Sequence, residues 1–164
     1  MNRAGRAAMD LAFEKMFNVS NAFSKVNMSG RLDKVILGDA LAYHEIQVEL
    51  DQTFQDRFFE EYQGILKKLL GSEYKGIIYP GIRDILKKTS NSSQMVNAIG
   101  TGNCRLGALA KLESLDIHGY FKFGGYGDDY VQRGELIKGV IKYANECCGM
   151  IFNKENIYVI GDTI

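Results

Sequence analysis

The residues best suited to chemistry lie where apolar runs give way to turns. Thr101, Gly102 and Asn103, in the stretch AIGTGN, close one such run and precede an amphipathic one. Backbone N–H groups at a helix N-terminus, with a hydroxyl beside them, form a phosphate cradle. The same turn can also be a plain strand-to-helix connection. It is not a P-loop, because no Gly-Lys-Ser/Thr follows, and GTGNCRLG only loosely imitates a dinucleotide fingerprint. Asp162, behind Gly161 in NIYVIGDTI, is placed to ligate Mg²⁺, or equally to cap a helix. Arg133 opens a helix after GGYGDDY. A cation there can reach a phosphate at a sheet edge, although arginines more often simply face solvent. Asp128 and Asp129 read as loop and cap residues.

The remaining reactive side chains point nowhere special. Cys104, Cys147 and Cys148 make a poor disulfide framework, being odd in number with a vicinal pair. No CxxC occurs, and His44 and His118 lie far apart, which argues against structural zinc. The cysteines read as small, reduced, partly buried side chains. Cys104 adjoins the candidate phosphate turn, yet only Arg105 beside it would lower its pKa.

The elements that must position these groups fall into two styles. Helical periodicity predicts a first helix over AGRAAMDLAFEKMF, with Ala4, Ala8, Leu11 and Ala12 inward and Phe13 and Met16 widening the stripe. NVSNAFSKVNMSGR reads as loop. Asp33 is placed to cap a second helix, KVILGDALAYHEI. A third, TFQDRFFEEYQGILKKLL, carries Phe54, Phe58, Tyr62, Ile65, Leu66 and Leu69 on one face, with Gly71 as a left-handed stop. Pro80, the chain's only proline, marks a hinge before a helix with Ile82, Ile85 and Leu86 inward. Beyond it strands alternate with helices: SQMVNAIGTGN, CRLGALAKLESLDI, GYFKFGGYG, YVQRGELIKGVIKYANECCG and NIYVIGDTI. The penultimate segment is a helix with Leu136, Val140, Tyr143 or Ala144, and Cys147 inward, closed by Gly149. Such alternation implies a parallel sheet in an α/β fold.

Composition narrows the function classes. The 164 residues are 46% hydrophobic and 24% charged, as in a globular chain with room for one domain or a core with a small insert. Formal net charge is zero, which argues against nucleic-acid binding by phosphate neutralisation and against a basic membrane-surface helix. No apolar run approaches the roughly 18 residues of a membrane span. MNRAGRAAMD has no apolar stretch of the kind a secretory signal needs, so cytosol is the expected location.

GTGN with LGALAKL, GYFKFGGYGDD followed by Arg133 and EL, and IYVIGDT, in that order, resemble the haloacid dehalogenase-like hydrolases. The likeness is to the phosphoglycolate phosphatase-type branch with a helical cap. SGRLDKVIL is similar to a cap pattern of that branch, with Leu32 where threonine is usual. The resemblance covers most of the chain. It implies a Rossmannoid parallel-sheet core over residues 79–164 and an α-helical cap over residues 1–78. It also implies a phosphatase reaction on a small phosphorylated substrate. In the family one aspartate attacks phosphorus and a second, two residues later, is general acid and base. Mg²⁺ neutralises the charge between them and the phosphate. Carried over, Thr101 is the phosphate-binding hydroxyl with Gly102 and Asn103 beside it, Asp162 is the metal-holding acid, and Arg133 is the phosphate cation. Arg31, Tyr43 and His44 are the cap residues expected to face substrate.

The chain departs from the family at the nucleophile. No two of its aspartates lie two positions apart. The nucleophile, the general acid and the central strand that carries them are therefore expected to be missing, and both ends to be truncations. The core sheet should be incomplete, with exposed edges that favour a homo-oligomer. On this reading the chain is an inactive fragment of a Mg²⁺-dependent phosphomonoester hydrolase. Two alternatives stand beside it: a non-catalytic interaction or regulatory protein built from the same fold, and an unrelated α/β domain that holds a phosphate or nucleotide at GTGN.

Overall fold

Ala4, Ala8 and Ala12 recur every four residues, with Met9 and Phe13 further round the same helix. In the computed structural model of the chain, which describes residues 3–149 and 151–161, these five are buried on α1 (Arg3–Phe17). Leu11 falls just past the edge of that arc and is 44% exposed, so it does not join the stripe. The small alanines let α1 pack closely on α3 (Gln52–Gly71). Phe13 meets the rings of Phe17, Phe23 and Phe58 at 4.8, 5.5 and 6.4 Å. Tilted and edge-on pairs of this kind add to simple area burial.

The Asp51 carboxylate accepts the Phe54 N–H at 2.7 Å and so caps α3. Its inward face is Phe58, Phe59, Tyr62, Leu66 and Leu70. The expected left-handed stop at Gly71 does not form. Gly71 is the last helical residue and Ser72 closes the helix at φ −126°. The N–H groups of Glu73 and Tyr74 both return to the Leu69 carbonyl, which removes the need for a glycine cap.

Between them in sequence runs α2 (Asp33–Tyr43), which buries Ile36, Leu37, Ala40 and Leu41. After Pro80, Gly81 at φ 84° starts α4 (Ile82–Ser90). The inward face expected here is absent: no α4 residue is buried, and Ile82 and Ile85 are 39% and 54% exposed. Arg83 tethers α4 from outside, donating to the Leu115 and Asp116 carbonyls at 2.7 and 3.0 Å.

The alternating half forms a small parallel sheet. β1 (Ala98–Gly100) pairs with β2 (Phe123–Gly125) in the register Ala98–Phe123, Ile99–Gly124 and Gly100–Gly125. α5 (Arg105–Ser114) connects them, followed by a 3₁₀ turn at His118–Tyr120. Cys104 and Ala110 belong to the same buried cluster as α1, α2 and α3, so α5 is a wall of the helical core. α6 (Arg133–Cys148) packs on both strands, with Leu136 buried and Ile137 and Val140 over the glycines, and Gly149 at φ 62° ends it as expected. Tyr143 and Cys147 are exposed, because a two-stranded sheet is too narrow to cover the far end of α6.

NIYVIGDTI is not a strand where it is described. Residues 154–156 form a 3₁₀ turn, and residues 157–161 have no regular structure. Tyr158, Val159 and Ile160 are 83%, 68% and 86% exposed. Strand preference is realised only against a pairing partner, and among the described residues this run has none. The described chain is thus mixed α/β and mostly helical, with six α-helices and a two-stranded parallel sheet.

Candidate functional site

Three turns meet beyond the carboxyl ends of β1 and β2. Residues 101–104 follow β1, residues 126–129 follow β2, and residues 30–33 lead into α2. The Asp33 N–H donates to the Gly102 carbonyl at 2.8 Å, and the Gly127 N–H to the Asn103 carbonyl at 2.7 Å. A Cβ on Gly102 would lie 2.4 Å from the Arg31 carbonyl oxygen, and one on Gly127 only 1.9 Å from that of Gly102. Glycine at both positions is what lets three backbones close on one another.

Polar side chains fill the junction. Thr101 Oγ1 accepts from the Asn103 backbone N–H at 3.2 Å and from Asn103 Nδ2 at 2.8 Å. The Lys111 ammonium donates to Asn103 Oδ1. Cys104, fully buried, caps α5 by accepting the Gly107 N–H at 3.4 Å. The Cys104 N–H donates to Asp33 Oδ2 at 2.8 Å, across 71 residues of chain. Asp33 was expected to cap its own helix. Instead Leu32 holds that position without a side-chain bond, and Asp33 is only 8% exposed.

The electrostatics follow from burial. Desolvation raises the Asp33 pKa against the opposing pull of Lys111, and lowers that of Lys111 against the pull of Asp33. Burial also pushes the Cys104 thiol and the Tyr62 phenol upward, and the negative charge of Asp33 adds to both. A thiol in that state is a packing group and not a nucleophile.

The phosphate cradle expected from the N–H groups at the start of α5 is already filled by internal carboxylates. Asp33 takes the Cys104 N–H, and Asp128 Oδ2 takes the Arg105 N–H at 2.9 Å. Carboxylates suit a helix N-terminus because of its partial positive charge. Desolvation raises the Asp128 pKa, and its Oδ1 is buried without a partner. Lys34 donates to the Asp128 carbonyl at 3.2 Å. Arg105 pairs with Asp129 at 3.2 Å and lies over the Tyr126 ring at 4.4 Å. The Gly102 N–H, beside the Thr101 hydroxyl, makes no internal hydrogen bond among the described residues.

Thr101, Gly102 and Asn103 therefore lie together at the junction. Arg133 is the first residue of α6 and is exposed, with a guanidinium nitrogen 3.7 Å from where a Gly30 Cβ would sit, so it flanks the third turn. The Arg31 backbone is part of the junction, but its guanidinium turns to Asp39 and to the Asn27 carbonyl. Tyr43 and His44 are at the other end of α2, about 16 Å away at 1.5 Å per residue. Tyr43 is 59% exposed, while His44 Nε2 lies 2.9 Å from the Ala22 carbonyl with its ring on Phe13, as a core-facing histidine does. Asp162 lies outside the described residues. No group of three His, Cys, Asp or Glu among the described residues could hold a metal ion, and no described helix is long and apolar enough to cross a membrane.

Sequence reasoning missed the roles of Asp33, Lys34, Lys111 and Asp128. Only Lys111 leaves a usable signal: it stands at helical spacing from Cys104 and Ala108, on the buried face of α5. Compared with protein-family models and with curated proteins, the chain matches none.

Proposed function

We propose that this chain is the phosphate-holding part of a haloacid dehalogenase-like phosphomonoester hydrolase. The observation that carries this reading is the Thr101-Gly102-Asn103 turn, set between the carboxyl end of a parallel strand and the following helix. Open α/β sheets take their ligands at that edge. The Thr101 hydroxyl and the free Gly102 N–H are the contacts for phosphoryl oxygens. Arg133, Lys34, Arg105 and Lys111 supply positive charge around Asp33, Asp128 and Asp129. In this reading residues 1–78 are the cap and residues 79–164 belong to the core.

The described residues do not compose a Mg²⁺ site. Asp33 and Asp128 each give an oxygen to a backbone N–H, and no three-ligand group is present among the described residues. With no aspartates two positions apart, the chain holds phosphate but does not attack phosphorus by itself.

The test is inorganic phosphate binding by calorimetry, paired with hydrolysis of p-nitrophenyl phosphate with and without Mg²⁺. The expected result is binding without turnover, with affinity about tenfold weaker in Thr101→Val for loss of one hydrogen bond to a charged group. Equal binding by Thr101→Val would remove the turn from the site. Mg²⁺-dependent turnover lost in Asp162→Ala would show that another residue acts as nucleophile.

A second reading, a non-catalytic interaction protein, draws on the exposed run Tyr158–Ile160 and on Ile77 and Tyr79, which are 82% and 64% exposed. Apolar residues clustered in the open mark contact surfaces. It takes precedence if phosphate does not bind.

A further inference from the structure

The hydrogen bonds around Thr101 fix the direction of its hydroxyl proton. A threonine hydroxyl has two acceptor positions and one proton. Both acceptor positions are engaged by Asn103, through its backbone N–H and its Nδ2. The Thr101 O–H is left only to donate, outward from the turn. It then suits an acceptor-only oxyanion and rejects a ligand that offers a proton or a cation.

That arrangement depends on which way the Asn103 carboxamide is turned. Reversed, it would aim a carbonyl oxygen at Thr101 Oγ1, and the hydroxyl would spend its proton on that oxygen. Lys111 decides the matter. An ammonium has three donors and no acceptor, so only Oδ1 can face it. The Lys111 stem packs inside the fold, with Nζ 3.3 Å from where a Gly5 Cβ would sit on α1, so the ammonium has little room to move away.

We propose that Lys111 is a positioning residue for oxyanion binding: through Asn103 it holds the Thr101 hydroxyl as an obligate donor to the ligand. The proposal rests on the phosphate reading of the turn and adds how that turn is polarised. It differs from a role in which Lys111 merely neutralises Asp33, because it predicts an effect on the Asn103 carboxamide itself.

The experiment combines the Asn103 side-chain amide signals in ¹⁵N–¹H spectra with a titration of inorganic phosphate. The variants are Lys111→Met, Lys111→Arg and the double variant Asp33→Asn/Lys111→Met, which removes both charges together so that no buried charge is left unpaired. The wild type should show two well-separated Asn103 carboxamide protons, with the one donated to Thr101 Oγ1 protected from exchange. Lys111→Met and the double variant should lose that protection and bind phosphate about tenfold more weakly. Lys111→Arg, which keeps a donor-only cation, should retain both. Unchanged Asn103 signals in the folded double variant overturn the proposal whatever the phosphate result. Altered signals in a protein whose wild type binds no phosphate overturn the phosphate reading, and the proposal falls with it. Altered signals with phosphate affinity unchanged overturn the proposal alone.

Discussion

Asp33 occupies a position where an ionised carboxylate is costly. It is nearly buried, it accepts the Cys104 N–H, and it faces Lys111, Cys104, Tyr62 and Asp128. Burial raises its folded pKa above the ordinary value of 3.8. The stability linked to that raised value is full below the unfolded pKa and is lost as pH rises through the folded one. Asp33→Asn keeps an oxygen for the Cys104 N–H and cannot ionise. In urea unfolding between about pH 3.5 and 7, stability of the wild type relative to Asp33→Asn should therefore fall as pH rises. Asp128, raised in the same direction, titrates in both proteins and drops out of that difference to first order. Asp33→Ala at neutral pH is a harsher change. It strands the Cys104 N–H and leaves Lys111 without its counter-charge, at a cost of about 3 kcal/mol.

Helix by helix, stability is unevenly shared. α3 is a central wall, with Phe58 fully buried between Phe13 and Phe59. Phe58→Ala should cost about 3–5 kcal/mol through lost transfer energy and a cavity. α4 has no buried face, and Ile85→Ala should change stability by no more than about 0.5 kcal/mol. Denaturant midpoints of the two variants make the comparison directly. The contrast also explains what was legible in advance. α1, α3 and α6 carry stripes with a period near four and appear where the pattern puts them. α4 carries the same pattern in Ile82 and Ile85, yet no element among the described residues buries them, because a stripe records a capacity for burial and not the presence of a partner. NIYVI failed for the same reason. Thr101-Gly102-Asn103 was visible because its chemistry is contiguous. The Asp33–Cys104 and Lys111–Asn103 bonds were not, since the first joins distant segments and the second turns a charged side chain inward on α5.

Over the whole molecule, apolar surface is left open where the second half has too few strands. Tyr158, Val159 and Ile160 form a β-prone run with no covering element among the described residues, near neutral net charge overall. Exposed apolar runs of this kind promote self-association. Sedimentation velocity should show concentration-dependent self-association that is reduced in Ile160→Lys; a concentration-independent monomer would contradict this. The position of α5 has a different consequence, one of chain entropy. α1, α2 and α3 follow one another in the first 71 residues and can find each other over short stretches of chain. The bond that shapes the Thr101 turn requires residue 104 to return to residue 33. Closing a loop of that length carries an entropic cost that contacts between successive helices largely avoid. The turn's final form thus depends on contacts between distant segments, and a ligand that needs that form needs α5 docked on α3 as well.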